Sequence, residues 1–161
     1  MEDSPQLAPK LLGKLICIRQ NRTIKKFRIT ETEAYFGTED TACHAHKGRT
    51  KRTETLYEEG GVLYVYLCYG IHSLINIVTG DKGFPQAVLL RGIEGTNGPG
   101  RVSRKLGVDC SFNNLDITES EELWIEDDDF SVPEIITSPR IGIDYATEYY
   151  RNIYWRFYIN I

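Results

Sequence analysis

The sequence predicts a mixed α/β (α+β) fold, in which a mostly antiparallel β-sheet carries short flanking helices. Three observations point to this fold. The 161 residues, 41% of them hydrophobic, suit one compact domain over residues 1–161. Runs rich in β-branched and aromatic residues recur along the chain. Only short connections separate these runs, and strands adjacent in sequence usually pair with each other.

The N-terminal half should hold one helix and three strands. Helical spacing of apolar residues predicts a short helix at Leu7–Lys14. Leu15–Arg19 and Phe27–Thr32 are strand-like runs, and the polar segment Gln20–Lys26 between them indicates a hairpin or meander. Val62–Tyr69, with its β-branched and aromatic residues, is the strongest strand signal in the chain.

The C-terminal half continues the same pattern. Ser73–Thr79 and Gln86–Ile93 predict two more strands, and the second is so apolar that it should lie centrally in the sheet. Gly98-Pro99-Gly100 should open a helix that runs to about Leu106 and stops at Gly107. Three short late strands complete the prediction: Leu123–Glu126, Ile141–Ile143 and Phe157–Ile161.

Charge is distributed unevenly along the chain. The net charge of −4 and isoelectric point near 5.4 argue, taken alone, against nucleic-acid binding, which depends on Lys and Arg contacts to phosphate. Residues 1–108, however, carry 16 Lys and Arg against 11 Asp and Glu. The acid is concentrated in the last third, where Asp127-Asp128-Asp129 predicts a solvated turn away from any polyanion. The basic part could bind nucleic acid or be ordinary soluble surface.

No membrane or disulfide signal is present. No run approaches the ~20 apolar residues of a membrane helix, and Met1–Pro5 lacks the basic-then-apolar order of a signal peptide. We therefore expect no membrane association and a protein that stays in the compartment where it is made. The four cysteines form no CxxC pair and are expected to be reduced and mostly buried: Cys17, Cys43, Cys68 and Cys110.

Two carboxylates and an aromatic alternate in Glu31-Thr32-Glu33-Ala34-Tyr35. Glu31, Glu33 and Tyr35 should therefore share one face of a strand. Burial beside an aromatic wall would raise the pKa of such a carboxyl toward the range of a general base that activates water. The alternative is a solvated strand face paired with lysines across the sheet.

Cys43-His44-Ala45-His46 is a tight Cys/His cluster that invites a metal-binding interpretation. Side chains at adjacent and alternate positions seldom converge on one ion, and no partner pair stands at zinc-ligand spacing elsewhere. A single imidazole used for stacking or hydrogen bonding is favoured over a metal site.

Tyrosines cluster on the Val62–Tyr69 strand. Tyr64 and Tyr66 share one strand face, and a buried core position is the simplest interpretation for Tyr64. Tyr69 precedes a glycine where the chain must turn, so it should protrude at a hairpin tip, as a base-stacking or helix-wedging protein requires. Basic residues lie nearby in sequence: Arg49, Lys51 and Arg52.

Arg91 ends the apolar strand and needs a partner if it is buried there. A phosphate or Glu33 would serve, and an internal ion pair with Glu94 or Glu31 would serve equally well. The helix opened by Gly98-Pro99-Gly100-Arg101 offers backbone N–H groups that would also suit a phosphate.

Taken together and in order, these groups resemble the alkyladenine (3-methyladenine) DNA glycosylase family, and its bacterial members in particular. The resemblance covers nearly the whole chain. The blocks that carry it are Leu7–Lys14, Glu31–Tyr35, Glu39-Asp40 before His44, Gly48–Thr50 with Arg52, Tyr64–Tyr66 with Tyr69-Gly70 and Asn76, Val88–Arg91, Gly98–Gly100, Arg140–Ile143 and Trp155–Tyr158. Each block is weak alone, and their shared order gives the resemblance its weight.

The resemblance implies a role for each matching residue and a curved antiparallel sheet for the fold. Glu33 corresponds to the general base that deprotonates the water attacking C1′ of the flipped nucleotide. The implied partners are Tyr35, His44 and Tyr66 for base stacking, Asn76 against the 2-amino group of normal guanine, Tyr69 in the minor groove and Arg91 on phosphate. Arg49, Arg52 and Arg101 are expected to bind DNA as well.

The implied activity is that of a monofunctional DNA-repair glycosylase acting on alkylated or deaminated purines in double-stranded DNA. No cofactor or metal is expected, no lysine stands at a site for lyase chemistry, and the protein should act as a monomer. It would work in the cytoplasm and nucleoid of a bacterium, or in the nucleus of a eukaryote. Two alternatives remain: a catalytically silent damaged-DNA binder, and a metal-dependent hydrolase using Cys43, His44 and His46.

Overall fold

Antiparallel strand pairing dominates the computed structural model, which describes residues 1–161. Strands β1 to β9, in chain order, are Leu15–Gln20, Thr23–Phe36, Leu63–Cys68, His72–Val78, Gln86–Ile93, Thr96–Asn97, Leu123–Glu126, Ile136–Ser138 and Arg156–Tyr158. Helices α1 to α3 are Ser4–Lys10, Pro99–Leu106 and Glu148–Asn152. Every strand pair is antiparallel, which confirms the predicted fold class.

The sheet is organised around the long strand β2. The main strand order is β3-β4-β5-β2-β1-β7, while β6 pairs with β5, and β9 lies between β2 and β8. The first half of β2 pairs with β1, and its second half lies between β5 and β9. Register shifts between Ile29 and Thr32, which are typical of bulges that bend a strand, separate the two halves. Glu33 is thereby placed inside the sheet, with strands on both sides.

Two helices cover the hydrophobic core at the centre of this sheet. The core includes Ile16, Ile29 and Leu90 from the strands and Leu106 from α2, all fully buried. Helix α2 packs on β4 and β5 and ends at Gly107, whose φ of 69° permits the left-handed cap. The predicted bounds of this helix and of the central strand β5 are confirmed. No helix has the length and apolar character needed to cross a bilayer.

The start of the chain differs from the prediction in two places. Helix α1 begins at Ser4, where Pro5 favours a first turn, and ends before the Leu7–Lys14 segment is complete. The predicted hairpin at Gln20–Lys26 is confirmed, but most of this polar segment is strand, because a two-residue turn suffices. Asn21 and Arg22, with φ of 49° and 68°, form that turn.

The late part of the chain differs more. The strand predicted at Ile141–Ile143 is wrong: the Ile141 N–H donates to the Glu33 carboxylate and not to a neighbouring strand. The predicted strand Phe157–Ile161 is shortened to β9. Strands β6 and β8 were not predicted, since runs of two and three residues carry no periodicity.

The acidic segment lies at the far edge of the sheet, beside β7. The predicted solvated turn is confirmed, since Asp127, Asp128 and Asp129 are all exposed, and ion pairs join Asp127 to Lys14 and Asp128 to Arg28. No disulfide forms. Two cysteines are buried, Cys17 and Cys43, whereas Cys68 is partly exposed and Cys110 exposed, so the expectation of mostly buried thiols holds for half of them.

Candidate active site

The carboxylate of Glu33 is fully buried in the second half of β2. Its Oε2 accepts a hydrogen bond from the Tyr35 hydroxyl at 2.8 Å, and its Oε1 accepts one from the Ile141 N–H at 2.8 Å. Arg91 Nε lies 3.4 Å from the same Oε1. The alternative of a solvated strand face is therefore wrong for Glu33. The carboxylate instead accepts two hydrogen bonds and forms an ion pair with Arg91, and these three groups come from three separate segments.

The environment of Glu33 changes its acidity. Burial raises the pKa of Glu33 above its ordinary value, although Arg91, the Ile141 N–H and Tyr35 oppose that shift. The pKa of Tyr35 is raised well above its usual range, first by burial and then by the Glu33 charge. Tyr35 therefore stays a neutral phenol that donates to the carboxylate. A carboxyl whose pKa is raised in this way is suited to accept a proton during catalysis.

Arg91 is held inside the protein by carboxylates on β2. Its Nε donates to Glu31 Oε1 at 3.0 Å and lies 3.4 Å from Glu33 Oε1, and its side chain is only 13% exposed. Glu31 also accepts a 2.6 Å hydrogen bond from Arg156 Nε. Of the internal partners considered for Arg91, Glu31 and Glu33 on β2 both contact it, whereas Glu94 is exposed and makes no pair with it.

An aromatic pocket lies beside Glu33, and four of the predicted site residues line it. Its lining consists of Tyr35, Ala42, Cys43, His44, Leu56, Tyr64, Tyr66, Asn76, Ala87 and Tyr145. The ring centroids of His44 and Tyr66 are 4.3 Å apart and the rings meet edge to face, so these two side chains pack directly against each other. A larger, open cleft lies at the acidic edge around Arg19 and Trp124, and none of the predicted site residues lines it.

His44 is fixed by a neighbouring tyrosine. Its Nδ1 lies 3.0 Å from the Tyr64 hydroxyl, and Asn76 Nδ2 donates to the Tyr64 carbonyl at 3.2 Å. Burial, together with the charge of Arg52, lowers the pKa of His44, which keeps the imidazole neutral near pH 7. Tyr64, predicted as a core residue, is buried and also supports this histidine.

The Cys/His cluster does not converge on a point. The His46 Nδ1 faces the Thr38 carbonyl at 2.8 Å, on the exposed side of the segment, while the His44 Nδ1 faces Tyr64. Burial raises the pKa of the Cys43 thiol to about 12, so it stays protonated. No group of three or more His, Cys, Asp or Glu side chains is close enough to hold a metal ion.

Tyr69 forms the tip of the β3–β4 hairpin. It has a φ of 52° and is followed by Gly70 with a φ of 67°, and a three-residue turn, Tyr69–Ile71, connects the two antiparallel strands. The side chain of Tyr69 is 92% exposed, and the nearby apolar residues Leu67 and Ile71 are exposed as well. The predicted protruding aromatic is therefore present, within a larger apolar tip.

Basic groups and a helix start lie next to this tip. Arg52 Nη2 donates to the Leu67 carbonyl at 3.3 Å, and its guanidinium lies 5.6 Å from the Tyr66 ring. Gly100 packs so closely on His72 that a Cβ there would meet the imidazole at 3.0 Å, which brings the start of α2 and the exposed Arg101 beside β4. Arg49 is also exposed, over Tyr57 and near Glu54.

The family model for methylpurine-DNA glycosylase (MPG) matches residues 1–96 and 94–161, which together span the chain. The chain belongs to the methylpurine-DNA glycosylase family. This membership makes it a DNA glycosylase, an enzyme of DNA repair that cleaves N-glycosidic bonds, with DNA as its partner. The two matched parts meet at residues 94–96, in the tight turn between β5 and β6.

Bacterial relatives resemble this glycosylase over nearly their whole length. A protein of Borrelia garinii subsp. bavariensis named "Putative 3-methyladenine DNA glycosylase" is 43% identical over 174 positions, covering 99% of this chain and 92% of the relative. Proteins of the same name from Bdellovibrio bacteriovorus and Clostridium perfringens are 40% and 38% identical. They cover 91% and 98% of this chain, and 85% and 91% of their own lengths.

The glycosylase pocket contains residues that the sequence did not single out. Tyr145 lies at its rim and donates from its hydroxyl to the Ala42 carbonyl at 3.1 Å. Arg140 lies behind the pocket, with its guanidinium 4.7 Å from the Tyr35 ring. Tyr145 is in an irregular segment with no periodic signal. Arg140 belonged to a block that matched the family, but nothing in the sequence indicated its contacts.

Proposed function

We propose that this glycosylase receives an alkylated or deaminated purine, flipped out of duplex DNA, and hydrolyses its N-glycosidic bond with a water activated by Glu33. The observation that carries the proposal is the buried Glu33 carboxylate, hydrogen-bonded to Tyr35 in the wall of an aromatic pocket. The name of the relatives specifies 3-methyladenine. The proposed substrate class also includes 7-methylguanine, hypoxanthine and 1,N6-ethenoadenine.

The geometry around Glu33 supports a base that acts on water. In the proposed reaction the water oxygen bonds to C1′, one water proton passes to the Glu33 carboxylate, and the glycosidic electron pair leaves with the purine. A cationic alkylated purine is released as a neutral base, whereas hypoxanthine needs a proton on its ring as it leaves. Arg91 and the Ile141 N–H hold one carboxylate oxygen, and Tyr35 holds the other. These contacts fix the orientation of the Glu33 carboxylate, and therefore the direction from which it accepts the proton.

The pocket walls support recognition of a damaged purine. Electron-rich tyrosine faces attract a cationic base through cation–π interactions of about 0.5–2 kcal/mol. Tyr35 provides such a face, and the packed pair of Tyr66 and neutral His44 provides another. We propose that Asn76, buried in the pocket and bound to the Tyr64 carbonyl, excludes the 2-amino group of normal guanine.

The hairpin tip and its basic neighbours are the proposed DNA-binding surface. Tyr69 would fill the gap left by the flipped nucleotide and offset an extrusion cost of a few kcal/mol. Arg49, Arg52 and Arg101 would contact phosphates around it. The Nε of Arg91 is engaged by carboxylates, but its terminal nitrogens have no hydrogen-bond partner, and those are the atoms proposed to reach phosphate.

The Tyr69→Ala variant tests this surface. We expect binding to a duplex with one hypoxanthine to weaken by about 1–3 kcal/mol, because one stacking contact is lost. Fluorescence anisotropy at fixed salt measures the dissociation constant. Ile24→Ala removes an exposed apolar side chain from the other hairpin, between β1 and β2, and should leave the affinity unchanged. Equal affinity of Tyr69→Ala and the wild type would contradict the wedge role.

The raised pKa of Glu33 predicts the pH dependence of excision. Glu33 must be ionised to accept the proton, so activity should fall as the pH drops through an apparent pKa above the ordinary value of glutamate. A duplex with 7-methylguanine isolates this limb, because a cationic base leaves without protonation. Single-turnover rates across pH provide the measurement. With hypoxanthine, whose ring needs a proton, the rate should also fall as the pH rises. If the rate falls at low pH with neither substrate, the assignment of Glu33 as the base is contradicted.

The experiment that tests the whole function uses duplexes with one lesion each: 3-methyladenine, 7-methylguanine, hypoxanthine or 1,N6-ethenoadenine. We expect strand breaks only after alkali treatment, which cleaves abasic sites, and no borohydride-trapped covalent complex, because the proposed enzyme is monofunctional. If no base is lost from any of the duplexes, the result would favour the silent damaged-DNA binder. Inhibition by a chelator, reversed by zinc, would favour the metal-dependent hydrolase instead. Gel filtration tests the proposed monomer.

A further inference from the structure

Arg140 and Asp40 form a fully buried ion pair directly behind the active site. The two side chains are 0% exposed, and the pair is bidentate: Arg140 Nη1 donates to Asp40 Oδ2 at 2.7 Å, and Nη2 donates to Oδ1 at 2.9 Å. Asp40 also accepts the N–H groups of Phe36 and Ala42, both at 3.0 Å. The pair therefore fixes the end of β2 and the loop that follows it.

The same guanidinium reaches two residues of the proposed chemistry. Arg140 Nη1 also donates to the carbonyl of Ala34, between Glu33 and Tyr35, at 2.9 Å. The guanidinium carbon of Arg140 lies over the Tyr35 ring, 4.7 Å from its centroid. The next residue, Ile141, donates its N–H to Glu33 Oε1. Arg140 thus anchors three groups around the Glu33 carboxylate: the backbone at Ala34, the ring of Tyr35 and the N–H of Ile141.

We propose that Arg140 is a positioning residue, which through its ion pair with Asp40 sets the orientation of both Glu33 and Tyr35. This inference rests on the proposed function, in which Glu33 activates water. Arg140 is not among the residues that line the pocket, so it would act through Tyr35 and Ile141. Neither Asp40 nor Arg140 has a role in the water activation or base stacking described above.

The contacts require an arginine rather than any cation. The guanidinium fork donates to both oxygens of Asp40 and to two backbone carbonyls, those of Ala34 and Tyr150, while the group also lies over the Tyr35 ring. A lysine carries the same charge but has neither the fork nor the flat face. Arg140→Lys therefore removes the positioning while it keeps a cation opposite Asp40.

The test compares Arg140→Lys and the double variant Arg140→Met with Asp40→Asn against the wild type. The double variant replaces a buried ion pair by neutral groups of similar shape, a change that often leaves folding intact. The readout is the single-turnover rate constant at saturating enzyme on a 7-methylguanine duplex, which does not depend on the folded fraction. We expect it to fall by roughly 10- to 100-fold in both variants, because small misplacements of catalytic groups have effects of that size. Affinity for a duplex with a stable abasic analogue should stay unchanged.

Arg28→Lys is the matched control. Arg28 is also bidentate with an aspartate, Asp128, donates to a carbonyl, and lies over the ring of Phe130 at 4.0 Å, but it is far along the sheet from Glu33. Its replacement should lower stability without changing the rate constant. Rate constants of both Arg140 variants within about twofold of the wild type would overturn the positioning role, since a purely structural residue changes only the folded fraction.

A second readout separates this inference from the proposed function. The groups facing Glu33 are Arg91, Tyr35, the Ile141 N–H and Arg140, with Tyr66 and Tyr145 farther off. Carboxyl ¹³C NMR, with Glu33→Gln for assignment, gives the Glu33 titration without any activity. The double variant should titrate at higher pH than the wild type, and an unchanged titration would overturn the inference. A wild type that excises no lesion would overturn the proposed function, and the titration would still decide the role of Arg140.

Discussion

Glu33→Gln is expected to reduce excision of 7-methylguanine by roughly 10²–10⁴-fold, the usual contribution of general acid–base catalysis. The amide keeps the shape of the side chain and its contacts to Tyr35 and Ile141, but it cannot accept a proton from water. Affinity for damaged duplex should therefore stay close to that of the wild type. Single-turnover kinetics and anisotropy on the same duplex separate the two effects.

The matched control for Glu33→Gln is Glu94→Gln. Glu94 is an exposed carboxylate just beyond the end of β5, so its replacement makes the same chemical change outside the site. It should leave excision unchanged. If Glu33→Gln retains most of the activity, the general base has been misassigned.

The same Glu33→Gln change should stabilise the protein at neutral pH. The pKa of Glu33 is higher in the folded protein than in the unfolded chain, so the folded state binds the proton more tightly. Ionisation of Glu33 therefore opposes folding, and its cost grows as the pH rises from the unfolded to the folded pKa. Thermal unfolding should show a higher midpoint for the variant at pH 7, with the gain disappearing below the pKa of unfolded glutamate. A lower midpoint at pH 7 would contradict this account.

Asp40→Asn is expected to lower the free energy of unfolding by about 3–5 kcal/mol, because it leaves the buried Arg140 charge without a partner. Urea unfolding followed by circular dichroism measures the change. Asp128→Asn breaks a pair of the same geometry in which Asp128 is 39% exposed, and it should lower the free energy of unfolding much less, because solvent screens the exposed pair. Equal losses in the two variants would show that the burial of the first pair has no energetic consequence.

Elements with strong local signals were predictable from the sequence. The apolar run of β5 and the Pro and Gly residues that bound α2 gave both elements their correct limits. The irregular segment around Ile141 was not predictable, because two isoleucines at alternate positions suggest a strand, whereas the Ile141 N–H is bound by a carboxylate 108 residues away.

The site was predictable to the extent that its residues lie on one strand or one turn. Alternation placed Glu33 and Tyr35 on one face, and the glycine after Tyr69 marked the exposed tip. Partners brought together by the fold left no local trace: Arg140 reaches Asp40 across 100 residues, and Arg156 reaches Glu31 across 125. Their contacts depend on the antiparallel packing of β9 and the segment before it, which no periodicity encodes.

The central claim is that this glycosylase releases a damaged purine by hydrolysis that depends on Glu33. The most direct measurement is chromatography of the free base released from a duplex with one 7-methylguanine, at an excess of enzyme over DNA. We predict complete release of 7-methylguanine by the wild type, with the strand uncut until alkali is added, and only trace release by Glu33→Gln over the same time. Equal release by the two proteins, or none by the wild type, would contradict the claim.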